Sequence, residues 1–103
     1  MNEWSWRNLA QVKPYRFRFL PEYGAGTPFW FAGAVPIEDL PLSEELAADL
    51  NTWNDYFEKQ FHWETGWRDK EGGRLFNVEA RLLCDRAQRE LGEDFVLTFD
   101  PWT

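Results

Sequence analysis

The chain has 103 residues, 44% of them hydrophobic and 28% charged, with a formal net charge of -7. Such a length suits a single domain, residues 1–103, which on folding buries roughly 65% of the surface its unfolded chain exposes. The acidity rules out nucleic-acid binding driven by counterion release, the lone Cys84 rules out an internal disulfide, and no apolar run approaches the ~20 residues of a membrane helix.

The first residues, Met1 to Arg7, lack the charged-then-apolar order of a secretory signal, so a cytoplasmic location is expected. Trp4 and Trp6, two apart, would share one side of a short extended segment, and Trp4 to Arg7 could supply an additional strand. From Tyr15 to Leu20, Tyr15, Phe17 and Phe19 alternate with Arg16 and Arg18, which predicts a strand with one wet face ending at Pro21. The glycines between Glu22 and Thr27 predict a turn, and Pro28 to Ala32 reads as a second strand completing a hairpin.

Gly33 to Leu42 reads as a connector with Pro36 and Pro41. Ser43 stands where an N-cap belongs, with Glu44 and Glu45 in the first turn beyond it. Leu46, Leu50, Trp53, Phe57 and Phe61 follow at helical spacing and form one apolar stripe. His62 to Gly73 is polar and glycine-rich and reads as a loop anchored by Trp63 and Trp67. A second helix is predicted over Asn77 to Leu91, with Phe76, Ala80, Leu83, Ala87 and Leu91 inward, Leu82 on the flank, and Gly92 as the left-handed stop. Phe95, Leu97 and Phe99 then alternate with Val96 and Thr98 in a last strand.

The order is β-β-α-α-β. It predicts an α+β fold: a two-layer sandwich in which two helices cover a three- or four-stranded, mostly antiparallel sheet.

The catalytic inventory is thin. There is one His and one Cys, and no nucleophile elbow, phosphate loop, zincin or Cys-x-x-Cys motif. Cys84 falls beside a core stripe, where it reads as a small buried hydrophobe. His62 with Glu64, Asp69 and Glu71 lacks the spacing of a zinc or calcium site and reads as a surface loop. Eighteen acids make chance carboxylate pairs easy, and a chain this short has little room for a substrate cleft. The expectation is therefore a protein that is not an enzyme, with no catalytic residue, no metal site and no cofactor.

Two binding constellations remain. Trp30, Trp63, Trp67 and Trp102 lie off the main stripes, and converging rings could cage a quaternary ammonium or stack on a sugar, although Trp also simply fills volume. The other is charge. Residues 35–58 carry Glu38, Asp39, Glu44, Glu45, Asp49, Asp55 and Glu58 with no Lys or Arg, a balance of -7, against +2 before and -2 after. The helix macrodipole accounts for acids in the first turn only, so Asp55 and Glu58 are in excess. Glu45, Asp49, Thr52 and Tyr56 fall on one flank of the first helix and Asp55 points more directly outward, a set suited to docking a basic protein.

The run Leu-Pro-Leu-Ser-Glu-Glu-Leu-Ala-Ala-Asp-Leu-Asn-Thr-Trp-Asn-Asp-Tyr-Phe from Leu40 to Phe57, with Phe-Asn-Val-Glu-Ala-Arg-Leu-Leu and Glu-Leu-Gly-Glu-Asp-Phe-Val later, resembles small acidic bacterial proteins similar to the immunity proteins of polymorphic toxin systems. The resemblance covers about half the chain and rests on scaffold features: a cap, a core stripe and a helix stop. It implies an inhibitor of a cognate toxin that acts by covering the toxin's active site, and it carries no catalytic residue across.

Overall fold

The computed structural model describes residues 12–22, 24–62, 64–68 and 70–100. The possible strand at Trp4 to Arg7, and the rings of Trp63 and Trp102, lie outside them.

Strand β1 (Tyr15–Phe19) alternates as its sequence demands, with Phe17 and Phe19 buried and Arg16 and Arg18 exposed. It pairs antiparallel with β2 (Phe29–Trp30), setting Phe19 opposite Phe29 and Arg18 opposite Trp30. The second strand is shorter than the predicted Pro28 to Ala32. Ala32 and Gly33 take φ of 53° and 131°, and the Phe31 N–H donates to the Gly33 carbonyl, so the chain reverses there. The reversal returns Ala34–Val35 as β3, antiparallel to β2, inside what the composition suggested was a connector. Buried Thr27 secures this turn: its hydroxyl donates to the Val35 carbonyl at 2.6 Å and accepts from the Phe29 N–H.

A 3-10 turn (Ile37–Asp39) leads to helix α1 (Glu44–Gln60). Ser43 caps α1 as expected, its Oγ accepting from the Leu46 N–H at 3.1 Å. Leu46, Leu50, Trp53 and Phe57 are buried, and Phe61 leaves the helix as its C-cap and enters a two-stranded hairpin, β4 (Phe61–His62) with β5 (Gly66–Trp67). Helix α2 (Lys70–Leu91) begins seven residues before Asn77. Gly72 and Gly73 lie within its first turns and are buried, and Trp67 rests on the helix backbone at Gly73, where a Cβ would stand 2.7 Å from Trp67 Cδ1. Glycine in this stretch signals close approach of a ring, where composition suggested a loop.

Strand β6 (Phe95–Phe99) joins β1 in parallel, giving one sheet of order β3-β2-β1-β6. A parallel neighbour requires a crossover, which α1 and α2 supply on one face of the sheet. Ion pairs stand at both ends of this pairing, Lys13 with Asp94 at 3.1 Å and Arg18 with Asp100 at 2.6 Å. The α+β prediction holds, and among the described residues two of the three main-sheet pairings are antiparallel and β6 is the last strand in the sheet order.

The core lies between the layers. Phe17, Phe19, Phe29 and Phe95 from the sheet meet Leu46, Leu50, Trp53 and Phe57 of α1 and Phe76, Ala80, Leu83 and Ala87 of α2. Burying each large side chain contributes ~1.5–3 kcal/mol before entropy is counted, and seven aromatic rings are buried here.

A groove between the helices

The helices run antiparallel and are fastened at several levels. Near one end Glu90 accepts from the Ser43 N–H at 2.6 Å and from its hydroxyl at 2.8 Å. Midway, Arg86 Nη1 meets Asp49 Oδ2 at 2.9 Å. Further along, the rings of Trp53 and Phe76 stack with centroids 4.5 Å apart at 7°, and Trp53 Nε1–H donates to the Phe76 carbonyl. The Ser43 N–H and hydroxyl, in that order of effect, hold the Glu90 carboxyl below its ordinary range.

On the side away from the sheet the helices part and leave an open groove of ≈ 740 Å³. Its floor is buried Trp53, Phe76 and Leu83, and its walls are Tyr56 from α1 and Leu75 and Leu82 from α2. Acids Asp49, Glu79 and Asp85 line it together with Arg86 and Arg89. Tyr56, Leu75 and Leu82, which line the groove, are 42%, 48% and 58% exposed and present large apolar surface to solvent there, and Val78 on α2 is 48% exposed. Leu75, Val78 and Leu82 recur at i, i+3 and i+7, a second apolar stripe on α2 beside the core stripe. The spacing was visible in the sequence. The core stripe of the same helix accounted for its amphipathicity first and hid the second one.

Of the five candidate docking residues, Asp49, Thr52 and Tyr56 line the groove. Glu45 is exposed one helical turn before Asp49 on the same side of α1. Asp55 is exposed outside the groove, so it is not grouped with the other four. The flank is also less purely acidic than residues 35–58 suggest, because Arg86 of α2 reaches across to Asp49.

Of the candidate platform tryptophans, Trp30 and Trp67 fall within the described residues, and both have partners in the fold. Trp67 packs against Phe57, Phe61 and Phe76 at centroid distances of 5.8, 5.5 and 5.0 Å. Trp30 sits in the main sheet and donates its Nε1–H to the Leu20 carbonyl at 3.0 Å. His62 Nδ1 accepts from the Glu64 N–H within the hairpin turn. Cys84 is buried in the core, and desolvation, aided by Asp85, pushes its thiol up to about 11. Among the described residues no group of three or more His, Cys, Asp or Glu could hold a metal ion, and no helix is long and apolar enough to cross a membrane.

Residues 15–101 match a protein family described as Serratia CdiI immunity protein-like. The match spans most of the chain, including α1, α2 and strands β1 to β6, and the chain belongs to that family. A comparison with curated proteins gave no match.

Proposed function

We propose that this member of an immunity-protein family inhibits a basic cognate toxin in the cytoplasm by seating the groove between α1 and α2, with the acidic flank of α1, over the toxin's active site. Family membership implies a toxin as partner and suggests a non-enzymatic inhibitor. The observation that favours this particular face is the solvent-facing apolar patch of Tyr56, Leu75 and Leu82 beside the segment of residues 35–58, which has seven acids and no Lys or Arg. An apolar centre within a charged rim is the anatomy of a protein interface. The centre supplies affinity by excluding water, and the rim steers a cationic partner and sets orientation. No cofactor enters this reading.

The neighbouring reading frame is expected to encode a protein with a toxic C-terminal domain, and the test assays that domain, purified, with and without this protein. Leu82→Asp, which places a charge in the exposed stripe away from the core, is expected to weaken inhibition by at least about tenfold while the far-UV spectrum stays native. Unchanged inhibition by Leu82→Asp and by Tyr56→Ala together would assign the toxin contact to another face.

A further inference from the structure

Asp49 is the acid of the α1 flank that lines the groove, and among the described residues Arg86 of α2 is the one cation paired with it. The bond is single. Arg86 Nη1 donates to Asp49 Oδ2, while no donor among the described residues engages Oδ1. A guanidinium holds a carboxylate most firmly through two parallel bonds, and both side chains here are partly open to water, so the pair is weakly made.

Arg86 also has a second acid on its own helix. Glu90 stands one turn further on, anchored by the Ser43 N–H and hydroxyl, and its carboxyl is held low first by those bonds and then by the Arg86 charge. Leaving Asp49 for Glu90 keeps the guanidinium beside an anion and strands no buried charge. The remaining charges around the pair are Glu79, Asp85 and Arg89, which line the groove, and Glu45, one turn before Asp49 on α1. Acids predominate among them, so the place that Arg86 fills suits a cation from outside.

We propose that Arg86 stands in for an arginine of the toxin: in the free protein it covers Asp49, and the toxin's guanidinium displaces it when the groove is filled, an inference that rests on the groove being the toxin contact. The single bond names the winner of the exchange. An incoming arginine can engage both oxygens of Asp49 with its planar fork, whereas a lysine is a point charge without that advantage over Arg86. Arg86 thereby sets specificity, since it withholds Asp49 from cations that bind no better than it does.

The experiment measures affinity for the same purified toxin domain by calorimetry. The proteins compared are the parent, Arg86→Met, Asp49→Asn, the double variant, and Arg89→Met, which removes an equal charge from the groove without touching the pair. Arg86→Met is expected to bind about two- to fivefold more tightly, the factor an exposed ion pair represents. That gain is expected to vanish in the Asp49→Asn background, where nothing is left to uncover. Any gain from Arg89→Met comes from relieved repulsion alone and should be the same in both backgrounds. In NMR spectra of the parent, the Arg86 guanidinium signal should move on toxin binding toward its position in free Asp49→Asn, where its bond to Asp49 is also gone. A gain from Arg86→Met that persists with Asp49→Asn would reduce Arg86 to a repelling charge and overturn the proposal. The absence of any gain, or an unmoved guanidinium signal, would overturn it too. So would failure of both Arg86→Met and Arg86→Gln to fold, which would make the bond a fastener of the two helices. If Leu82→Asp still weakens inhibition, these outcomes sink the displacement of Arg86 and leave the groove as the toxin contact. If Leu82→Asp and Tyr56→Ala together change nothing, the groove is not the contact and both proposals fall.

Discussion

Arg86 reaches across the groove to Asp49, Nη1 to Oδ2 at 2.9 Å, so the central acid of the α1 flank already has an internal cation. The two side chains are 35% and 49% exposed, and a pair so open to water is worth only about 0–1 kcal/mol to folding. Reversing the acid should therefore separate stability from recognition. Asp49→Lys, facing Arg86, is expected to lower stability by no more than ~1 kcal/mol in urea titration. Against a basic toxin the same change should cost roughly 2–5 kcal/mol of affinity by calorimetry if the contact is desolvated, whereas Glu93→Lys, at an exposed site far along the chain, should cost little. Association should slow as salt rises, since screening shortens the reach of the acidic face to ~8 Å at physiological ionic strength.

Gly73 and Trp67 form a steric couple. Replacing a helical glycine by alanine ordinarily stabilises by ~1 kcal/mol, but a Cβ at position 73 would collide with the indole at 2.7 Å. Gly73→Ala is accordingly expected to destabilise. The sign should reverse in a Trp67→Ala background, where the ring is absent, and a double-mutant cycle of urea midpoints measures the coupling.

Cys84 predicts an alkaline weakening. Its folded-state thiol is raised to about 11 from an ordinary value of 9.0. Stability from the buried neutral thiol is fully present below pH 9 and is lost as pH climbs toward 11, because the unfolded chain ionises first. The loss is on the order of 2 kcal/mol, and Cys84→Ala should flatten that part of the stability profile while losing some packing at every pH. Thiol-specific reagent should react slowly with native protein at pH 8 and promptly after denaturation.

At the acidic end, Glu90 is depressed by its bonds from Ser43. The stability it contributes is present above its ordinary value of 4.5 and falls away as pH drops and the carboxylate protonates. Glu90→Gln should thus be less stable than the parent at neutral pH, and the difference should shrink in acid melts. Ser43→Ala should cost about 1 kcal/mol more uniformly, since it also removes the cap on the Leu46 N–H.

Local pattern alone determined a good part of this protein. The alternation in Tyr15–Phe19 and Phe95–Phe99, the Ser43 cap and the inward stripes of both helices could be read because each depends on residues a few positions apart, within one strand pleat or one helical turn. The same locality placed Asp49, Thr52 and Tyr56 on one flank of α1, and the structure keeps them together at the groove. Tertiary structure decided the rest, because it depends on contacts between distant positions. Trp67 lying on Gly73 turned a glycine-rich stretch into helix, and the turn at Ala32 and Gly33 recovered a strand from a connector. Arg86 neutralised an acid 37 positions away, and Leu75, Val78 and Leu82 became a surface only because α1 left that side of α2 uncovered. Composition counts charges and rings, but only the packed chain determines which of them reach solvent and which meet one another.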